Sequence, residues 1–361
     1  MKKMELGSVS ADFRPDKENP RNSEGAFLKR KDGTIAFAYS KYRGKSYADW
    51  APADICMAVS EDGGRTFYGD QKVVDYEEEN VVNVMCASLM RMKNGDLGLF
   101  YLARCTYTKT MMFLRRSKDE GKTWGERVNC TPQEGFFVVN NDRVVRLSSG
   151  RILIPAACHR TGDFGFDSRS EAMFFYSDDD GITWKAAEGK CSMPHLTHCS
   201  SGLQEPGVLE LYPGVLWGFA RTDLGRQYEM YSMDNGNTWT GAQPSRFTAP
   251  NSPLSMKRDQ KTKDIYAVWN PVPEYNGRKK TTEIFTGGRT PLVLAVSHDN
   301  GKTFGEEIPF ETEEDHGYCY CAMYFTESAL LLGYCAGGPE DGNCLSSLRI
   351  RRIPRKELSR L

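Results

Sequence analysis

The sequence predicts an all-β chain folded as a six-bladed β-propeller, and three observations predict it. An octapeptide of pattern S-x-D-x-G-x-T-[WF] occurs five times, and a second hairpin signal stands between successive copies. No long helical periodicity and no linker-like shift in composition interrupts that alternation, so residues 1–361 are read as one propeller domain.

The five copies begin at Ser60, Ser117, Ser177, Ser232 and Ser297 and end at Phe67, Trp124, Trp184, Trp239 and Phe304, with serines 57, 60, 55 and 65 residues apart. Such an octapeptide is a hairpin turn. Ser and Asp oxygens accept backbone N–H bonds across the loop, Gly takes a positive φ, and the terminal aromatic plugs the turn from below. Each copy follows an apolar strand, as in Ala172–Tyr176 and Leu292–Val296. The repeat reads as a structural staple rather than as a calcium loop.

Between copies lie turns such as Lys31-Asp32-Gly33-Thr34, Lys93-Asn94-Gly95-Asp96, Ser148-Ser149-Gly150-Arg151 and Tyr212-Pro213-Gly214, each followed by an apolar strand. Two hairpins per repeat make four strands, one propeller blade. Five such blades and the tail from Tyr318 to Ile353 make six. The last blade lacks a strand, which residues 3–8 are expected to supply, closing the ring.

The formal net charge of -1, from 47 basic and 48 acidic side chains, argues against nucleic acid or an anionic membrane as partner. No stretch approaches the ~20 apolar residues needed to span a bilayer. The eleven cysteines form no zinc-type CxxC pair, so neither metal nor other cofactor is expected. They read as reduced core thiols of a cytoplasmic protein, because the start Met1–Ser8 has no apolar run of a signal peptide. Removal of a leader would instead make the protein secreted or periplasmic.

Five boxes of this kind on six blades resemble the sialidase superfamily of glycoside hydrolases, whose octapeptide is the Asp box. The resemblance implies a retaining exo-glycosidase with three arginines that grip a sugar carboxylate, an Asp acid/base, and a Tyr nucleophile paired with a Glu. Leu203-Gln204-Glu205-Pro206 followed by Phe219-Ala220-Arg221 matches the family's Glu and second arginine, and Arg226 is a further candidate cation. Arg289, in Gly287-Gly288-Arg289-Thr290-Pro291, stands where the third arginine is found. In Tyr318-Cys319-Tyr320-Cys321 the nucleophile is Tyr320 or Tyr318, which share a face if the strand is regular. Asp49 lies thirteen residues before Asp62 of the first box, the family's acid/base spacing, with Asp54 in reserve.

The first blade departs from the pattern. At the aligned position of the first arginine stands Ser23, with Glu24 beside it and Arg21 two residues upstream. An inward Glu24 repels a sialic acid carboxylate unless a cation such as Arg21 neutralises it. Asn140-Asn141-Asp142-Arg143 in the third blade suits hydroxyl-rich sugar recognition, with Asn83, Arg104 and His159 as weaker additions. Asn141, Asp142 and Arg143 therefore join Arg21, Glu24, Arg221, Arg226 and Arg289 as expected substrate contacts. The expected partner is a carbohydrate, sialic acid or a related acidic sugar. The competing readings are a non-hydrolytic glycan-binding propeller and a protein-interaction scaffold. Charged and aromatic residues at pocket-facing positions of several blades speak against the scaffold.

Overall fold

The computed structural model describes residues 6–162, 165–194, 198–271 and 286–361. Six antiparallel sheets stand in a ring, five of them built from consecutive strands. The first blade runs Asn22–Lys29, Ile35–Tyr42, Ala53–Ser60 and Tyr68–Val74 from axis to rim. The second to fifth repeat this order, starting from Asn83–Arg91, Phe136–Val138, Gln204–Tyr212 and Ser255–Arg258. In the third blade the inner strand is broken, and Val145–Arg146 resumes the pairing with Ile152–Gly162.

The sixth blade takes Gly317–Phe325, Ala329–Gly337 and Leu348–Pro354 from the C-terminal part of the chain and its outermost strand from the N-terminal part. That strand is Ser8–Phe13, paired with Leu348–Arg352. The ring is thus closed by the N-terminal segment, but by residues 8–13 rather than 3–8. Lys3, Met4 and Glu5 lie outside the described residues. Gly7, at φ 67°, leaves no room for a Cβ against the Arg352 carbonyl, so the strand starts after it.

All five boxes close the hairpin between the third and fourth strands of their blades. Each Ser Oγ accepts the N–H of the box Gly at 2.7–2.9 Å, and each Asp accepts the Thr N–H at 2.8–3.0 Å. The residue before that Gly is also left-handed: Gly63, Glu120, Asp180, Asn235 and Asn300. The side chains of Glu120, Asp180 and Asn300 latch neighbouring blades. Glu120 accepts from Lys31 N and pairs with Arg91, while Asp180 accepts from Lys93 N and pairs with Arg146. Boxes and first hairpin turns therefore share one end of the propeller. The turns between second and third strands point to the other.

The Thr183 hydroxyl and N–H, with Ser177, hold the Asp179 carboxyl down at about 2. A carboxyl lowered on folding adds stability that is present above the unfolded value near pH 4 and lost as pH falls toward 2. Ser177→Ala strips one bond from Asp179 and leaves the buried Gly181 N–H unsatisfied. It is expected to cost about 1–3 kcal/mol and to move acid unfolding to higher pH, both read by thermal melts at pH 7 and pH 3.

Candidate active site

Inner strands present side chains to the axis through a repeated bulge. Glu24, Cys86, Glu205 and Tyr320 each take a left-handed φ of 47–59°, and the pairing register shifts around each one. The Cys86 amide turned out of its ladder donates to Ser40 Oγ of the first blade at 3.0 Å.

At the axis, blades four and six bring three groups together. Tyr320 Oη donates to Glu205 Oε1 at 3.2 Å and accepts from Arg221 Nη1 at 3.2 Å. Glu205 Oε2 lies 3.2 Å from the same Nη1, an ion contact off the hydrogen-bond direction. Gln204 Oε1 accepts from both Nε and Nη2 of Arg221 and fixes the fork. Arg289 stands over the Tyr320 ring, its Cζ 5.3 Å from the centroid, and donates to Cys319 Sγ and Asn251 O. Burial, then the Glu205 charge, pushes the Tyr320 phenol well above its ordinary range against the pull of Arg221 and Arg289. The phenol is a proton donor at neutral pH.

The first blade supplies a second cluster. Arg21 donates to Ser23 Oγ at 3.0 Å, Glu24 Oε2 at 3.0 Å and Asp49 Oδ1 at 2.6 Å, with its guanidinium over Tyr42. Burial raises the Glu24 carboxyl, with Asp49 and Glu205 adding to it and Arg21 opposing. Asp49 stands in the cavity mouth, walled by protein yet with 59% of its side chain open to water. The walls push its carboxyl up, but Arg21, with help from Arg104 and Arg221, holds it below the usual carboxylate range. Asn83 Nδ2 anchors that loop by donating to Asp49 O and Ala51 O at 2.7 and 2.9 Å.

A cavity of about 520 Å³ opens at the end remote from the boxes. Its wall includes Asp49, Gln204, Glu205, Arg221 and Tyr320, together with Arg104, His159, Phe136 and the exposed rings of Trp50, Tyr107 and Phe166. Sequence reasoning missed Gln204 and the rim aromatics. Gln204 was legible as the neighbour of Glu205, whereas the rings come from three separate loops.

Several expected site residues are elsewhere. Tyr318 is buried in the blade interior and donates to Glu313, because the bulge at Tyr320 breaks the alternation that would put both tyrosines on one face. Asp54 is buried on its strand against Arg43. Arg226 lies on a third strand and reaches Ser245 O, outside the cavity wall. The break in the inner strand of blade three redirects its cluster. Asn141 donates to Gly25 O and Tyr320 O as a brace across the axis. Asp142 pairs with Lys257 and accepts from Met323 N, while Arg143 packs on Phe219 and donates to Leu254 O. Asp142 and Arg143 line a separate cavity of about 400 Å³ that reaches the box-side turns at Ser148 and Pro213.

Arg21→Met leaves Glu24 buried without its cation, a loss of about 3–5 kcal/mol at neutral pH. A carboxyl raised on folding loses stability as pH climbs from the unfolded value through the folded one. The gap in Tm between Arg21→Met and wild type should therefore widen from pH 4 to pH 7.

A family profile described as BNR repeat-like domain matches residues 53–332. The sialidase of Bacteroides fragilis is 26% identical over 293 residues, covering 76% of this chain and 49% of that protein, so the chain spans about half the length of this relative. Sialidase-3 of Rattus norvegicus is 31% identical over 133 residues, 34% of this chain and 31% of that one. Among solved structures, a Dyadobacter fermentans protein of unknown function superposes with a TM-score of 0.71 at 16% identity, covering 97% of this chain and 100% of its own. The NanB sialidase of Streptococcus pneumoniae, as its K499G mutant, gives 0.69 at 11% identity, covering 98% and 71%. At such identities structural likeness speaks for the fold, and it is the propeller that these proteins share. With the profile running from the third strand of the first blade into the sixth blade, the chain belongs to the BNR repeat-like domain family, within the sialidase superfamily.

Proposed function

We propose that the chain is a retaining exo-glycosidase of sialidase type acting on an acidic sugar, sialic acid or a related one. The observation that carries this reading is the contact of Tyr320, Glu205 and Arg221 in the wall of a cavity that also holds Asp49.

Tyr320 Oη attacks the anomeric carbon while its proton passes to Glu205 Oε1, already 3.2 Å away. The glycosidic C–O bond breaks and Asp49 delivers a proton to the departing oxygen. Water then attacks the glycosyl–tyrosine bond, giving its proton to Asp49, and Tyr320 recovers its own from Glu205. Arg221, pinned by Gln204, and Arg289, over the ring, stabilise the phenolate as it forms. The reading as a glycan-binding propeller without turnover draws on one observation, the 2.6 Å pairing that keeps Asp49 ionised beside Arg21.

Tyr320→Phe and Glu205→Gln should each lower kcat by about 10²–10⁴-fold on a 4-methylumbelliferyl glycoside that wild type cleaves, with Tm retained. Absence of turnover in wild type on a panel of such glycosides, with sugar binding retained, establishes the binding reading instead.

The position of Asp49 sets a pH dependence. An acid held below the usual range is protonated only at low pH, so cleavage of unactivated alkyl glycosides should rise as pH falls below 6. Asp49→Asn should spare kcat/KM of the activated aryl glycoside, whose leaving group needs no proton in the first step, far more than that of the alkyl one. Equal loss on both removes Asp49 from the acid role.

Ser23 and Glu24 set the preference among acidic sugars. One missing charge-assisted contact is worth about 1.5–3 kcal/mol, tenfold to a hundredfold in affinity. Wild-type turnover of ordinary α-sialosides should therefore be weak, and Ser23→Arg or Glu24→Gln should change it. Fast turnover unaffected by either substitution restores a conventional sialidase.

A further inference from the structure

We infer that Arg104 reads the acidic group of the substrate, and that this acid stands on the sugar ring away from the anomeric carbon, as in a hexuronic acid. The inference rests on the sugar occupying the cavity of the proposed function.

Two arginines line that cavity, Arg104 and Arg221. Arg221 is already opposed by Glu205 and bonded by Gln204 and Tyr320. Arg21 is spent on Ser23, Glu24 and Asp49, and both terminal nitrogens of Arg289 donate to protein atoms. Arg104 differs. Among the described residues no carboxylate lies within 4 Å of its guanidinium, and its Nε is buried without a hydrogen-bond partner. The side chain is not slack, since its guanidinium lies 5.0 Å from the centroid of Phe136. The charge of Asp49 reaches it only from beyond contact distance, and an arginine fork fixed on an aromatic ring with no carboxylate in contact is a receptor for one.

Position selects the carbon that bears the acid. Arg104 lies at the end of Leu97–Thr106 in blade two, paired with Asn83, which anchors the Asp49 loop. In a ring of six, blade two faces blade five across the axis, and blade five carries Arg289 beside the nucleophile. A carboxylate on the anomeric carbon sits by Tyr320, so an acid held by Arg104 belongs to another part of the ring. His159 continues this wall, edge-on to Phe136 at 6.0 Å. Its Nδ1 faces the Asp167 carbonyl, which only accepts, so Nδ1 carries the proton and Nε2 is left to accept from a sugar hydroxyl.

The test compares 4-methylumbelliferyl hexuronides with the hexosides that differ only at C6, and with the sialoside. Wild type should favour the acid by about tenfold to a hundredfold in kcat/KM. Arg104→Gln should collapse that ratio toward one, mainly through KM of the acidic substrate, and Arg104→Lys should restore part of it. An unchanged ratio in Arg104→Gln, or a wild-type preference for the sialoside, overturns the inference. If no glycoside is turned over, the proposed function fails but this inference is still decided, by calorimetric titration of free hexuronate. Binding that weakens tenfold or more in a folded Arg104→Gln protein supports it, and binding that is absent or unaltered overturns it.

Discussion

Four inner strands bend at one left-handed, non-glycine residue, and the site exists because of that bend. A regular strand sends alternate side chains to opposite sheet faces, into the packing between blades. At Glu24, Glu205 and Tyr320 the extra residue turns the side chain toward the axis instead. Holding a non-glycine residue there costs of order 1–3 kcal/mol each. The surrounding sheets absorb it, through antiparallel pairing on the outer side and interblade bonds such as Cys86 N to Ser40 Oγ and Ser255 Oγ to Cys321 O. Closure by Ser8–Phe13 makes the support continuous, since no blade is left with a free neighbour to relax against.

The same bend marks the boundary of what the sequence could tell. Blade number and order were legible because the Asp box is local chemistry: eight residues carry their own Ser, Asp and Gly bonds wherever they fall. Glu205 and Arg221 were legible for a related reason, since hairpin spacing brings Gln204 and Arg221 into register and leaves Glu205 one step from the pair. Tyr318 and Tyr320 were not separable, because the answer depends on a bulge that two-residue periodicity does not contain. The Asn141–Arg143 run looked like a sugar-binding cluster by composition. It serves as axial bracing because the inner strand of blade three breaks there. Trp50, Tyr107 and Phe166 meet only through the ring, so no local pattern announces them.

Blade one places its cation away from where the sialidase resemblance expects one. Ser23 stands at the position expected for the first arginine, and Arg21 reaches in from two residues upstream. Its guanidinium is taken by Glu24 and Asp49 before any ligand arrives. Two carboxyls around one buried cation, with Glu205 close enough to raise Glu24 further, leave Arg21 with no charge to offer a ligand.

In the proposed mechanism that distribution of charge separates two protonic roles. Tyr320 is held protonated by burial and by Glu205, and Asp49 is held ionised by Arg21 against the walls around it. Titratable groups driven in opposite directions within one cavity are the usual mark of an acid and a base with distinct tasks. On the proposed mechanism the resting state has the proton on Tyr320 and none on Asp49, so Asp49 must gain one before the glycosidic bond breaks. A sugar that fills the mouth removes water from the exposed Asp49 carboxylate, which favours its neutral form. Binding and protonation of Asp49 then reinforce each other, and only a ligand large enough to cover the mouth brings the missing proton into place.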